Sequence, residues 1–170
     1  MGNDKKKAVF LDRDGVINRE TGEYVFEPEN FEINEGVFDA MTALRDAGFI
    51  LIVISNQGGI GKGLYTHSHV EKIHNKLKQM LSLHNLELAE IYYCPHYPSS
   101  GKCLCRKPGS LLVEKAIARF NIDPSLSFMI GDKESDTEAA LRAGVKGILI
   151  NANESILNYI DIITNGNGKA

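Results

Sequence analysis

The chain lacks the marks of several protein classes. Its 19 Lys and Arg fall short of its 22 Asp and Glu, a formal net charge of −3. With no basic surplus to follow a phosphate backbone, the chain carries no electrostatic footprint for nucleic acid, which weakens a polynucleotide substrate, and the same balance argues against binding at a membrane surface. No apolar run approaches the roughly 20 residues of a membrane span. Met1-Gly2-Asn3-Asp4-Lys5-Lys6-Lys7 is polar and leads straight into an apolar strand, so it does not read as a secretion signal. Lys6 stands where a myristoylation site wants Ser or Thr. Cysteine is scarce: three residues, all between Cys94 and Cys105, an odd and clustered set unlike a secreted disulfide framework. These absences lead to the expectation of a cytoplasmic monomer with solvated tails at residues 1–7 and 165–170.

What is present is a globular composition, 43% hydrophobic and 24% charged, and a length that suits one domain over residues 1–170. There is no internal repeat and no long linker. Apolar runs alternate with helical patterns. Residues 9–11 and 49–54 read as buried strands, and 90–93, 128–130 and 147–150 as further strands. Val37, Met41 and Leu44 recur at helical spacing before Gly48. A second helix is predicted to start near Thr66 or Ser68, where Ser68-His69-Val70-Glu71 has the capping-box pattern, with Val70, Ile73, Leu77 and Leu81 as its apolar stripe. Residues 111–120 and 134–143 read as two more helices. The alternation predicts an α/β fold, Rossmann-like, an open parallel sheet with helices on both faces.

Ligands in such sheets bind beyond the carboxyl ends of the strands, and the polar motifs of this chain fall there. Asp12 and Asp14 follow Leu11, Ser55 and Asn56 follow Ile54, and Gly131-Asp132 follows Ile130. Each motif alone has a plainer reading: a turn for Asp12-Arg13-Asp14-Gly15, helix caps for the other two. Together on one rim they form what a phosphomonoester hydrolase needs. Asp12, first off its strand, is the nucleophile. Asp14 is the acid that protonates the leaving oxygen and the base that then activates water. Ser55 and Asn56 can give a hydroxyl and an amide to phosphate oxygens, Lys107 a positive charge, and Arg106 a bidentate grip. Asp132 adds a third carboxylate, and so much negative charge with a phosphate substrate calls for a hard cation, Mg²⁺.

A second cluster lies in Cys94-Pro95-His96 and Cys103-Leu104-Cys105. Four soft or borderline ligands on one short loop suit tetrahedral, structural Zn²⁺. Cys105 runs directly into Arg106 and Lys107, so zinc would pin the loop that aims these cations. His67, His69, His74 and His84 read as surface or half-buried residues of the second helix, and Tyr92 and Tyr93 as strand packing.

From Val9-Phe10-Leu11-Asp12-Arg13-Asp14-Gly15-Val16 through Ile54-Ser55-Asn56 and Lys107 to Gly131-Asp132-Lys133-Glu134-Ser135-Asp136, the chain resembles the haloacid dehalogenase (HAD) phosphatase superfamily. Asn56-Gln57-Gly58-Gly59-Ile60-Gly61 and Cys105-Arg106-Lys107-Pro108 are similar to the branch of heptose bisphosphate and histidinol-phosphate phosphatases. The resemblance implies Mg²⁺ on Asp12, the Asp14 carbonyl and Asp132, with Asp136 buttressing the site. It implies that Ser55 and Lys107 stabilise the phosphoryl group, and that Arg13, Asn56, Gln57, Arg106 and Lys133 meet the substrate. It also supports the zinc ligands Cys94, His96, Cys103 and Cys105. Family members often carry Thr where this chain has Val16 and Ser55, and Ser keeps the hydroxyl. About forty residues separate Asp14 from Ser55, too few for an inserted cap domain, so specificity falls to the loops at 18–26, 57–65 and 94–105. The leading expectation is a sugar phosphatase acting on a heptose bisphosphate, the second a histidinol-phosphate phosphatase. A phospho-acceptor signalling module is a third, though it needs neither Asp-x-Asp-Gly nor a zinc loop.

Overall fold

Alternate residues of the first strand enter opposite layers, and this organises the rest. In β1 (Lys7–Leu11) Val9 and Leu11 face one apolar cluster, Ala8 and Phe10 the other. All four are fully buried, as expected of a strand with helices on both sides. In β2 (Phe49–Asn56) Leu51 and Val53 join the first cluster, Ile52 and Ile54 the second. Each such side chain contributes about 1.5–3 kcal/mol on leaving water. The sheet is completed by β3 (Glu90–Cys94), β4 (Phe128–Gly131) and β5 (Lys146–Leu149). The computed structural model describes residues 4–165; the tail readings at 1–3 and 166–170 lie outside them.

The five strands are parallel in the order β3-β2-β1-β4-β5. α1 (Val37–Asp46), α2 (His67–Ser82) and α5 (Ile160–Thr164) cover one face, and α3 (Leu111–Phe120) and α4 (Glu134–Arg142) the other. The chain winds outward from β1 through β2 to β3, then returns to place β4 on the opposite side of β1. The ends of β1 and β4 therefore flank the point where winding reverses, the site of the crevice in such sheets. Between β1 and β2 the described elements are a 3₁₀ turn at Pro28–Asn30 and α1.

The predicted strands and the four longer helices are present, with ends displaced by a residue or two. Gly48 and Gly144 take positive φ, 85° and 76°, just beyond α1 and α4, where a residue with a Cβ would be strained. The start of α2 corrects the capping pattern. Thr66, not Ser68, is the cap: its Oγ1 lies 2.8 Å from His69 Nδ1, and its backbone N–H donates to that nitrogen at 3.2 Å. The apolar stripe sets where the first turn must lie, and Thr66 stands one residue before it. His74 corrects another reading, since it is 7% exposed and lies within the buried stripe of α2. α5 has no counterpart among the predicted helices; at five residues it is too short for a helical period to show, and Ile160 and Ile163 hold it on the core.

Candidate active site

The crevice at the carboxyl ends of β1, β2 and β4 is a cavity of about 370 Å³ whose lining includes Asp12, Asp14, Arg106, Lys107 and Lys133. At its floor the Lys107 ammonium is 2.9 Å from Asp12 Oδ1 and 2.7 Å from Asp136 Oδ1, and donates to the Ile54 carbonyl at 2.7 Å. This hydrogen bond and the two ion pairs tie together the ends of β1 and β2 and the start of α4. Lys107 is 3% exposed and Asp136 1%. Burial pulls the lysine down, but the two carboxylates outweigh it and hold it above the ordinary range, so it stays charged.

The charges at this floor do not balance. Asp12, Asp132 and Asp136 bring carboxylate oxygens within 4.8 Å of one another, against one buried ammonium. Burial pushes the Asp12 carboxyl up to about 7, with Lys107 opposing and Asp136 and Asp14 adding to the rise. Asp132 is raised as well, by burial and by Asp136 against Lys133. Asp132 Oδ1 is buried without a hydrogen-bond partner, a cost that native structures seldom leave unmet. An excess of about two negative charges and an orphaned carboxylate oxygen fit a hard divalent cation held by Asp12 and Asp132. Asp136 is spent on Lys107 and on accepting the Lys133 backbone N–H at 3.0 Å. Asp12 meets Lys107 as well, but it engages only Oδ1, which also accepts the Arg13 backbone N–H at 2.7 Å, whereas Asp136 engages both oxygens.

Asp14 has a different environment. Its Oδ1 accepts from Arg13 Nη2 at 2.9 Å and Asn18 Nδ2 at 3.0 Å, and its Oδ2 from Gln57 Nε2 at 2.9 Å. Burial raises this carboxyl, but Arg13 and the three donors outweigh it and hold it below the usual carboxylate range. The two carboxylates, two residues apart, thus sit in different surroundings, Asp12 against a buried lysine and Asp14 among three donors. Gly15 makes the turn possible. Its φ is 84°, and a Cβ there would lie 2.5 Å from Asp132 Oδ2.

Several side chains expected to meet the substrate also hold protein partners. Asn56 was expected to offer its amide to phosphate; instead Nδ2 donates to the Lys107 carbonyl at 3.1 Å and Oδ1 accepts the Lys107 N–H at 3.0 Å. Its side chain positions the lysine. Arg13, expected at the substrate, is 1% exposed, donating to Asp14 and to the Val25 carbonyl, although it borders the cavity. Ser55 is 1% exposed and its Oγ accepts from Gln57 Nε2 at 2.8 Å. Gln57 binds protein groups with its side chain, its Oε1 accepting from the Tyr65 hydroxyl. Arg106 and Lys133 border the cavity, as do Asn56 and Gln57; Lys133 Nζ stands 3.9 Å from both Glu20 and Asp132. Asn18 and Tyr65 were not singled out from the sequence, for their only local signal is a polar group near a motif.

The expected zinc ligands converge. Cys94 Sγ lies 3.7 Å from Cys103 Sγ and 3.0 Å from Cys105 Sγ, and His96 Nδ1 is 3.5 Å from Cys94 Sγ and 3.2 Å from Cys105 Sγ. Tetrahedral zinc with bonds near 2.3 Å to sulfur sets its ligands about 3.8 Å apart, so a slight expansion of this cluster admits the ion. Arg106 Nη1 donates to the His96 carbonyl at 3.1 Å, which couples the cluster to the cavity wall.

The fold and this site define a phosphatase of the HAD type. Residues 104–155 match the model of the HAD-hydrolase-like family. The chain is 42% identical over 147 residues to a D-glycero-beta-D-manno-heptose-1,7-bisphosphate 7-phosphatase from Haemophilus ducreyi, covering 83% of this chain and 80% of that one. It is 42% identical over 144 residues to the Escherichia coli K12 enzyme of that name, covering 81% and 75%. A crystal structure of D,D-heptose 1,7-bisphosphate phosphatase from B. bronchiseptica, complexed with magnesium and phosphate, superimposes with a TM-score of 0.79 at 31% identity, covering 84% of this chain and 79% of that one. The chain belongs to the HAD-superfamily phosphatases, in the same family as these heptose bisphosphate phosphatases.

Proposed function

We propose that the enzyme removes the 7-phosphate of D-glycero-D-manno-heptose 1,7-bisphosphate through a phosphoryl intermediate on Asp12, as a capless single domain. The observation that supports this most is the placement of two carboxylates on one cavity: Asp12 against Lys107 at the floor and Asp14 beside it, fixed by three donors. Asp12 attacks phosphorus as the bond to the sugar oxygen breaks, and Asp14 gives that oxygen a proton. Water then attacks the same phosphorus, Asp14 takes its proton, and the bond to Asp12 breaks to release inorganic phosphate. Lys107 and the Ser55 hydroxyl hold the non-bridging oxygens as charge moves onto them.

Mg²⁺ held by Asp12, Asp132 and the Asp14 carbonyl would neutralise phosphate charge and let nucleophile and substrate approach. Zinc held by Cys94, His96, Cys103 and Cys105 would make residues 94–105 one rigid loop. Arg106, anchored on that loop, and Lys133, across the mouth, are the cations available to the rest of a bisphosphate substrate. The open mouth admits an extended sugar phosphate.

The test is phosphate release with Mg²⁺ from the heptose 1,7-bisphosphate and from histidinol phosphate, with Asp12→Asn as the blank. A large preference for the heptose, abolished in the variant, is expected. A preference for histidinol phosphate would overturn the substrate, and full activity in Asp12→Asn would overturn the mechanism.

A further inference from the structure

Gln57 joins three groups that lie apart in the chain. Its Oε1 accepts from the Tyr65 hydroxyl at 2.8 Å, and its two Nε2 hydrogens go to Asp14 Oδ2 at 2.9 Å and Ser55 Oγ at 2.8 Å. An amide can turn over and exchange its oxygen and nitrogen. Turned over, it would present an oxygen to the Asp14 carboxylate, two acceptors in contact. The acceptor-only carboxylate selects against this, and the Tyr65 hydroxyl then holds the amide in place by donating to Oε1. Burial pushes the phenol up to about 12, so the proton stays in place at neutral pH.

The tyrosine is itself held. Its ring stacks on Phe26 with centroids 5.3 Å apart and planes 14° apart, and meets Tyr24 edge-on at 5.7 Å. It is 4% exposed. A Cβ on Gly59 would lie 2.0 Å from the ring, so only glycine there lets the tyrosine close on the loop. Asp14 Oδ1 already carries two donors and Oδ2 only the one from Gln57. Oδ2 is therefore the oxygen freer to carry the transferred proton, and the amide sets where it points. Ser55, accepting from Gln57, keeps its own O–H to donate toward phosphate.

We propose that Tyr65 is a positioning residue: through Gln57 it orients the proton-bearing edge of Asp14 and the Ser55 hydroxyl, without touching the substrate. This rests on the reading of Asp14 as the general acid. The prediction concerns proton delivery to the leaving oxygen, so it should depend on how much that oxygen needs a proton. A sugar alkoxide needs one; p-nitrophenolate does not.

The experiment compares kcat/KM, which reports the first phosphoryl transfer, for the best sugar phosphate from the release assay and for p-nitrophenyl phosphate. Tyr65→Phe keeps both ring contacts and should lower kcat/KM about tenfold on the sugar phosphate and less than about twofold on the aryl phosphate, part of the 10²–10⁴-fold that acid–base catalysis supplies. Gln57→Leu should give the same split, larger, and adding Tyr65→Phe to it should change the ratio no further. Equal losses on both substrates, loss on neither, or a further split in the double variant would overturn the proposal. Asp14→Asn serves as the reference. If it too lowers both substrates equally, the acid assignment of Asp14 falls; if it splits them and Tyr65→Phe does not, only the role of Tyr65 falls.

Discussion

His74 offers a stability switch that can be sized from its surroundings. It lies on the buried stripe of α2, 7% exposed, with its ring edge-on to Tyr93 at 5.5 Å and its Nε2 without a hydrogen-bond partner. Burial, then the charges of Arg13 and Lys78, push the imidazole from 6.5 down to about 3, with Asp14 opposing. The folded protein thus keeps His74 neutral while the unfolded chain protonates it near 6.5. With the folded value depressed, the unfolded state binds more protons as pH falls, so stability is complete above about 6.5 and is lost from there down to about 3. At 1.36 kcal/mol per unit the full loss approaches 5 kcal/mol, and at pH 5 it is about 2 kcal/mol, or roughly 4–8 °C in Tm for a domain of this size. The assay is urea unfolding at pH 7.5, 6 and 5 in chelator, wild type against His74→Gln. Other groups titrate in both proteins, so the difference in slope isolates the histidine. The variant should lose about 2 kcal/mol less than wild type between pH 7.5 and 5. Parallel pH profiles would refute the reasoning, because they would mean that His74 is protonated equally in both states.

Two further outcomes follow from contacts at the site. Cys105→Ser should lower zinc content and phosphatase activity together, the latter on the order of a hundredfold, since small displacements of positioned groups carry such penalties; metal analysis beside the release assay checks it, and a zinc-free variant of full activity would remove the loop from the mechanism. Gly131→Ala would set a Cβ 2.1 Å from the Asp136 Cβ, forcing Asp136 off Lys107, so we expect a loss of about 1–3 kcal/mol in denaturant unfolding with a marked fall in kcat.

Much of this protein is written locally. Val9, Phe10 and Leu11 are apolar without alternation, and only a strand covered on both faces buries them all. Val70, Ile73, Leu77 and Leu81 recur at helical spacing, and all are buried. Asp12 and Asp14 stand two residues apart, and Cys94, His96, Cys103 and Cys105 lie in one short loop as two close pairs, so sequence proximity marks each set. For such features a short window of sequence determines both the element and the chemistry.

The roles of Asn56, Gln57, Lys107 and Asp136 were decided at longer range. Lys107 meets Ile54, 53 residues away in the chain, and Asn56, 51 away; Gln57 meets Asp14, 43 away. Gln57 meets Asp14 because β2 pairs beside β1, and Asp136 reaches the same floor because β4 pairs with β1 on its other side, at the start of α4. A polar side chain near a motif can bind substrate, hold another residue or face water, and composition and spacing are the same in all three cases. Only the tertiary structure separates them, since a buried donor must find whichever acceptor the fold brings within about 3 Å.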